Sequence, residues 1–387
     1  VPSCGHGKGG GSAFGNLTDY SGQGKGTGTG PEGGTAAGAD SGDRGSADAA
    51  GTDYGTDSAT GFGSATGSGP FPSSLNAEAP QDQGNTPFNL ASGGTAVERG
   101  RIIWFTAWLD SNRIYRWDQN TGYCLPLPFD GGEDRVWEGM HHLNLTGDTL
   151  WLIHGWENGG YSPIQGILVS MALDGTGIRT DEEHRGLTCL AVSGGYLYAG
   201  SEIGLLRVDP AVFEFRLASD IPEVRNLIST ENALFFISDD ERKAGLYRYE
   251  PDTGRTERLP IDDAGLFSFQ DGLLIGIKSE SEGIFTWDPE TGEERLLSAR
   301  SVRGPAMIAG NEIISWSQNR IVRIALPDEE EEILLPERTS LPQIVEDLIF
   351  FRTDSEPPRY GFMARDGSGI IRLEDLQGTV DLTVFPQ

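Results

Sequence analysis

The chain has 387 residues, with 29 Lys and Arg against 58 Asp and Glu, so its formal net charge at pH 7 is −29. This balance argues against a nucleic-acid-binding protein and against docking on anionic lipid, because both need clustered basic residues. A content of 55 Gly and 21 Pro argues against a helical bundle, and no stretch approaches 18 consecutive apolar residues, so we expect no transmembrane segment.

Residues 1–86 are rich in Gly, Ser, Thr and Asp, and their few apolar residues are isolated. Such a composition buries too little apolar surface to offset the entropy lost on folding. We predict a low-complexity arm or linker over this range. Two alternatives remain open: a flexible tether, or a segment that becomes ordered only against a neighbouring chain.

The first residues, Val1-Pro2-Ser3-Cys4-Gly5, resemble the end of a bacterial lipoprotein processing box, although Val and Pro depart from its usual first two residues. The resemblance implies lipidation at Cys4; a plain cysteine or a pairing thiol is the alternative. Asn16 and Asn144 each begin an Asn-x-Thr tripeptide, so both are candidate glycosylation sites if the protein is exported through a suitable pathway. Cys124 and Cys189 lie in apolar strands and are expected to be small buried side chains.

A short apolar strand followed by a turn recurs along the rest of the chain. The turns begin at Asp118, Asp174, Asp209, Glu250, Asp288, Ala325 and Asp366, at a mean spacing of about 41 residues, which is the length of a four-stranded propeller blade. In six of the seven, an acidic side chain can accept a hydrogen bond from the amide two residues on, and Gly supplies a positive φ in most of them. The pattern predicts a hairpin between the third and fourth strands of each blade.

These repeats predict an all-β fold, a seven-bladed β-propeller over residues 87–387 that follows the Gly-rich arm. Residues 187–217 show one whole blade, from an apolar inner strand to an alternating outer strand. The ring must be closed, because an open sheet edge invites aggregation. The apolar segment 379–385 either completes the first blade or ends the last one.

Two of the turns carry a family resemblance. Trp117-Asp118 and Trp287-Asp288 resemble the closing dipeptide of WD40 repeats, and Asp-x-x-Thr-Gly at the same positions resembles the repeats of quinoprotein-like propellers. The resemblance implies a propeller fold. The Gly-His pair of WD40 repeats and the Trp that follows in quinoprotein repeats are absent, so the resemblance implies no quinone cofactor and no function.

The longest interval between two turns, from Asp118 to Asp174, contains the candidate ligand or partner contacts. They are Trp137, His154, Trp156, Glu157 and Tyr161. Aromatic side chains at a propeller mouth can stack on a sugar or a peptide, and a polar side chain can fix its orientation. Structural packing of a long loop is the alternative. A metal site through His141, His142 and His154 matches no known spacing, so we predict no metal site.

Residues 118–122 resemble half of a calcium-binding loop but lack its frame, so a hairpin turn is the favoured interpretation. The acidic runs 239–241 and 328–332 are predicted to be solvated loops. Weak Ca²⁺ binding is the alternative for residues 118–122 and for the two acidic runs, and no other cofactor is predicted.

The sequence contains no G-x-S-x-G, HExxH or P-loop motif, so we expect the protein not to be an enzyme. The interpretation is a non-catalytic extracellular structural or adhesive protein, in which the arm tethers the propeller to a surface or links subunits into a filament. The main alternative is a surface-tethered propeller that binds a glycan or a peptide, and a weaker one is a propeller glycosidase or lyase. Expected partners are further copies of the chain, another surface protein or a glycan. The expected location is extracellular or on the cell surface.

Overall fold

The structure is a computed structural model that describes residues 82–107, 113–128, 139–156, 165–181, 183–261, 264–278, 283–326, 328–340 and 342–376. The predictions about Cys4, Asn16 and the segment 379–385 fall outside these ranges, and nothing in the described part supports the lipoprotein-like interpretation. Among the described residues, no helix is long and apolar enough to span a membrane.

The chain begins with a short strand, β1 (Asp82–Gly84), and a one-turn helix, α1 (Pro87–Ala91). The first blade follows at once, and its four antiparallel strands are adjacent in sequence. They are β2 (Ala96–Arg99), β3 (Ile102–Ala107), β4 (Arg113–Asp118) and β5 (Cys124–Pro126). The apolar residues of β3 and β4 are buried because sheets of neighbouring blades cover both faces.

The next eight blade strands form one nine-stranded sheet with β1. The strands are β6 (Met140–Thr146), β7 (Thr149–Trp156), β8 (Gln165–Ala172), β9 (Arg179–Thr180), β10 (Leu187–Ser193), β11 (Tyr196–Ser201), β12 (Gly204–Asp209) and β13 (Glu214–Ser219). Each half, β6–β9 and β10–β13, has the strand order of a blade. A single pair, Leu187 with Gly166, joins β10 to β8 and merges the halves.

Four further sheets of four antiparallel strands complete the described fold. The first two contain β14 (Val224–Ser229), β15 (Leu234–Ser238), β16 (Gly245–Glu250), β17 (Arg255–Arg258), β18 (Ala264–Gln270), β19 (Leu273–Lys278), β20 (Ile284–Trp287) and β21 (Glu294–Ser298). The last two contain β22 (Met307–Ala309), β23 (Glu312–Ser317), β24 (Arg320–Ala325), β25 (Glu330–Ile333), β26 (Gln343–Val345), β27 (Leu348–Arg352), β28 (Tyr360–Ala364) and β29 (Ile371–Arg372). A 3₁₀ turn (Leu373–Asp375) follows.

The all-β propeller fold is thus confirmed, but the predicted count of seven separate blades is wrong. The described residues form five separate four-stranded blades, and the other two predicted blades share the nine-stranded sheet. The physical reason is the Leu187–Gly166 pair, which no local sequence pattern indicates. Gly166 is also crowded on its other side, where a Cβ would lie 2.4 Å from the carbonyl oxygen of His154 in β7, so glycine is needed for the close approach of β7.

Aromatic packing between the first and last blades closes the ring. Phe105 in β3 lies 5.0 Å from Phe350 in β27 and 5.4 Å from Phe362 in β28, measured between ring centroids. Trp117 lies 4.5 Å from Phe362. All the strands of the first blade come from residues 96–126, so the two terminal blades of the described chain meet by side-chain packing.

The predicted turn mechanism is confirmed at five of the turns. Backbone amides donate to the carboxylate two residues earlier, at distances of 2.8–3.0 Å, in the turns that begin at Asp118, Asp174, Asp209, Asp288 and Asp366. The hydroxyls of Thr176 and Ser368, together with these amides, hold the pKa values of Asp174 and Asp366 below the usual value, and the amides of Glu290 and Thr291 do the same for Asp288. The turn at Asp118 is therefore a hairpin, as favoured above.

The same turns also form contacts between successive blades. A Cβ added at Gly292 would lie 2.7 Å from Cγ of Pro260, which follows the outer strand of the preceding blade. Gly175 is crowded in the same way by Leu127, at 2.8 Å from its Cβ. These glycines are needed for their positive φ and also for the close approach of the next sheet.

Candidate functional site

The structure describes only part of the predicted contact set. Trp137, Glu157 and Tyr161 lie outside the described residues, and of Trp156 only the backbone at the end of β7 is described. His154 lies within β7, opposite Met140 of β6, and is 9% exposed. This histidine is an interior side chain of a blade, so the structure does not place it on a mouth loop.

His141 and His142 form a buried pair at the start of β6. Their Nδ1 atoms lie 2.5 Å apart, so one imidazole donates and the other accepts. His142 has a φ of 53° and sits in a bulge of the β6–β7 ladder. Burial lowers the pKa of His142 to about 4. The pKa of His141 is also lowered well below its usual value, by burial and by the neighbouring His142 and His154.

The segment before the first blade lies against these histidines and fills the centre of the ring. We call residues 82–94 the central plug. Its strand β1 pairs with the free edge of β6, with Asp82 opposite Thr146 and Gly84 opposite Leu145. Its helix α1 contacts the first strands of several blades, β10, β14, β18 and β26. First strands expose unpaired backbone groups along the axis, and the central plug covers them.

Apolar side chains of α1 point to opposite sides of the ring. Phe88 packs in the core of the last two blades, with Ile314 and Ile344. Leu90 packs in the core around β14 and β18, with Val224 and Phe267. Both plug residues are buried, at 5% and 1% exposure, so one helical turn links the apolar cores of both sides.

Amide side chains fix the central plug to the backbone of the ring. Asn89 Nδ2 donates to the carbonyl of Ile344 at 2.7 Å, and its Oδ1 accepts from the Ile344 amide at 2.6 Å. Asn85 Nδ2 donates to the carbonyls of Ala96 and Leu143 at 2.8 and 2.7 Å. Gln343 Nε2 donates back to the plug, to the carbonyl of Ser92, at 2.8 Å. Buried polar groups satisfied in this way specify one position for the plug.

The plug touches the histidine pair through its backbone. The amide of His142 donates to the carbonyl of Gly93 at 2.8 Å, and the amide of Leu143 donates to that of Gly94 at 2.7 Å. A Cβ on Gly94 would lie 2.7 Å from Cα of His142. Gly94 has a φ of 58°, so this position needs glycine for its conformation and for its space.

The sequence interpretation missed the central plug and placed a domain boundary inside it, between residues 86 and 87. One local signal was available. Thr86 and Pro87 are a helix N-cap followed by proline at the first helical position, and Thr86 Oγ1 accepts from the Asn89 amide. That signal predicts a helix start, but not that the helix lies in the centre of the ring.

A second group of charges lies at the turns that join the first and last blades. Arg101 pairs with Glu346 at 3.6 Å, and Arg365 pairs with Asp347 at 4.0 Å. Burial raises the pKa of Glu98, which lies beside them. The Arg101–Glu346 pair joins the two terminal blades, whereas Arg365 and Asp347 both belong to the last blade. Because Glu98 is buried, its carboxyl group ionises less readily than an exposed glutamate.

Other predicted sites have structural roles. No group of three or more His, Cys, Asp or Glu within the described residues could hold a metal ion. In the acidic run 239–241, Asp239 pairs with Arg225. Asn144 is fully buried, and its Nδ2 donates to the carbonyls of His142 and Leu190, so a glycan cannot be attached to it in the folded protein. The predicted glycosylation at Asn144 is corrected accordingly.

Both cysteines of the propeller are buried free thiols, as expected from their apolar strands. Burial raises the pKa of Cys124 to about 12 and also raises that of Cys189. Neither is a reactive nucleophile at neutral pH.

Comparisons with known proteins give similarity of fold alone. No protein-family model and no curated protein matches the chain. Similar solved structures include the extracellular domain of a one-component system from B. thetaiotaomicron (TM-score 0.48, 16% identity, 74% of this chain and 38% of that one). Two others are a Mycobacterium tuberculosis puromycin-hydrolyzing peptidase (0.47, 15%, 71% and 52%) and the dihydro-heme d1 dehydrogenase NirN (0.47, 10%, 75% and 64%). The chain spans less than two thirds of each of these three chains.

The expectation that the chain is not an enzyme is corrected by these comparisons. Structures similar to it include a peptidase and a dehydrogenase. At these identities the similarity does not show that this chain is an enzyme.

Proposed function

We propose that the protein is a partner-binding propeller carried on its N-terminal arm, with the arm attached at the axis of the ring. One observation carries the proposal: the residues that follow the arm form the central plug, which is hydrogen-bonded to the first strands and packed between the cores of opposite blades. An arm joined in this way transmits a pull on the chain to the whole ring instead of to one blade.

The plug also restricts where a ligand binds. Because residues 82–94 fill the centre of the ring, a partner binds on a face or on the rim and not in an axial channel. The ligand classes that suit such a surface are a glycan or a peptide. An arm of this composition suits a secreted or surface-held protein, with Cys4 as the candidate point of attachment.

Linking of subunits into a filament receives less support. That function needs the arm to add a strand to another propeller, whereas β1 adds a strand to its own β6. Electron microscopy of the full chain beside a chain that lacks residues 1–81 separates the two functions. Isolated rings from both support tethering, and filaments that disappear on deletion support assembly.

Limited proteolysis with mass spectrometry tests the attachment directly. We expect proteases to remove the arm and to leave a resistant core that begins at or before Asp82, because the plug's backbone is hydrogen-bonded within the ring. The Asn89→Ala variant should lose residues 82–94 at a higher rate than the parent. A resistant parent core that begins after Gly94 would show that the plug is not an integral part of the ring, and the proposal would then be wrong.

A further inference from the structure

Four arginines on the last two blades form no ion pair with any described residue. Arg303, Arg338 and Arg359 are exposed and Arg320 is partly exposed; we call these four residues the arginine patch. Among the described residues, none of their guanidinium groups forms an ion pair or a hydrogen bond. Two exposed acids, Asp354 and Glu356, lie on the same loop as Arg359, and they too form no ion pair with a described residue.

The backbone brings the four arginines together. Their segments are joined by hydrogen bonds from the Arg303 amide to the Trp316 carbonyl (2.9 Å), Thr339 to Asn319 (2.6 Å), Asp354 to Arg338 (2.8 Å) and Thr353 to Arg359 (2.8 Å). Segments paired in this way lie about 4.8 Å apart, and four such pairings separate Arg303 from Arg359, so the arginine patch spans on the order of 20 Å across neighbouring turns.

Several arginines elsewhere in the fold form ion pairs, whereas Arg242, Arg258 and Arg295 are exposed and, like the arginine patch, form no ion pair with a described residue. Arg99 pairs with Asp148, Arg216 with Glu214 and Arg323 with Glu332. The chain has 58 acidic residues for 29 Lys and Arg, so its surface as a whole is strongly acidic. The four arginines of these neighbouring segments outnumber the two exposed acids, Asp354 and Glu356, on the loop of Arg359, so the area is net positive on a strongly acidic molecule and attracts anionic ligands.

We infer that the arginine patch binds a linear carboxylated polysaccharide. The inference rests on the proposed binding function and names its ligand class. A guanidinium group matches a carboxylate through two parallel hydrogen bonds, which lysine cannot provide. Four guanidinium groups held on neighbouring segments suit a polymer with a carboxylate on each repeat better than a single small anion. A stiff polymer also loses less conformational entropy on binding than an acidic peptide, which is disordered when free.

Biolayer interferometry of the full chain with polygalacturonate tests the inference. We expect binding that weakens as salt rises, and no binding of neutral dextran. The triple variant Arg303→Gln/Arg338→Gln/Arg359→Gln should bind at least about tenfold more weakly, because three charge-assisted contacts are lost. The matched control Arg216→Gln removes an exposed arginine that is already paired, and it should bind like the parent. Circular dichroism checks that each variant is folded.

Three results would overturn the inference: equal binding by the parent and the triple variant, tighter binding of poly-L-glutamate than of polygalacturonate, or binding only to phosphatidylglycerol vesicles. The proteolysis experiment tests the axial attachment of the arm independently of the ligand class. A protected plug without polygalacturonate binding makes the ligand class wrong. If polygalacturonate binding depends on the arginine patch but the central plug is not protected from protease, the axial attachment is wrong and the ligand class is still supported.

Discussion

Asn89 connects parts of the chain that are 255 residues apart, since its amide makes both hydrogen bonds of the Ile344 backbone. An asparagine side chain has the same donor and acceptor as a peptide group, so it continues the edge of β26 as a paired strand would. The site is buried, and loss of the side chain would leave two backbone groups unpaired in a medium of low dielectric constant.

The Asn89→Ala substitution should therefore lower the free energy of unfolding by about 3 kcal/mol. Urea denaturation followed by circular dichroism measures this change. The exposed Asn232 provides the control, and Asn232→Ala should change the free energy of unfolding by less than about 0.5 kcal/mol. Equal effects of the two substitutions would show that the hydrogen bonds between Asn89 and Ile344 contribute nothing to the stability of the fold.

The histidine pair makes stability depend on pH. The folded pKa of His142, about 4, lies below the unfolded value of 6.5, so the unfolded chain binds more protons below pH 6.5. Stability from this residue is fully present above pH 6.5 and is lost as the pH falls towards 4. A shift of this size corresponds to about 3 kcal/mol.

We expect the free energy of unfolding to fall between pH 6.5 and 4, and the His142→Asn variant to lose the part that His142 contributes while the buried His141 keeps its own. Asparagine stays neutral and tolerates the positive φ at this position. His184 lies outside the pair, 2.9 Å from Asp181, and serves as the control, so His184→Gln should not reproduce the change seen on His142→Asn. Denaturation curves at several pH values measure the effect. Identical curves for the parent and His142→Asn would contradict it.

At the scale of elements, each hairpin turn connects two strands of its own blade, and several turns also pack against a neighbouring blade. A comparison of Gly254 with Gly292 distinguishes these two roles. Both have similar φ values, 69° and 73°, but a Cβ at Gly254 meets nothing within 4 Å, whereas one at Gly292 meets Pro260. The difference between their alanine variants therefore isolates the contact between blades.

The Gly254→Ala variant should lose about 1 kcal/mol of stability, which is the cost of the left-handed conformation for a residue with a side chain. Gly292→Ala should lose about 2 to 4 kcal/mol, because overpacking against Pro260 adds to that cost. Thermal and urea denaturation of both variants measures the difference. Equal losses would show that the turn is free to move away from the neighbouring blade.

The turns could be predicted from the sequence because their chemistry is local: Asp288 and the amide of Glu290 are two residues apart. The central plug could not, because Asn89 and Ile344 are far apart in the chain and nothing in either segment indicates the other. The merged sheet depends on one long-range contact of the same kind, Leu187 with Gly166. His154 was predicted as a candidate contact by residue type, but burial depends on the neighbouring strand.

At the scale of the whole molecule, three kinds of contact hold the ring closed. Aromatic packing joins Phe105 to Phe350 and Phe362. One ion pair, Arg101 with Glu346, joins the turns of the terminal blades. The central plug is the third, and it alone contacts blades on opposite sides of the ring. The first two contacts resist separation of one pair of blades, whereas the plug resists widening of the whole ring.

Two truncations test this role. A chain that begins at residue 82 should unfold at the same temperature as the full chain, because it keeps the plug. A chain that begins at residue 95 should unfold at least about 10 °C lower, or fail to fold, because it exposes the apolar partners of Phe88 and Leu90. Differential scanning calorimetry measures both. A chain from residue 95 as stable as the one from residue 82 would show that the plug does not hold the ring.

Because Asn89 and Ile344 are 255 residues apart, the hydrogen bonds between them can form only late in the synthesis of the chain. At a translation rate of about 5 to 20 residues per second, residue 344 is synthesised roughly 13 to 50 seconds after residue 89. During that interval Phe88 has no completed core to enter, because its partners in the last two blades have not been made. The nascent chain therefore carries an exposed apolar segment near its start, where chaperones can bind until the last blade leaves the ribosome.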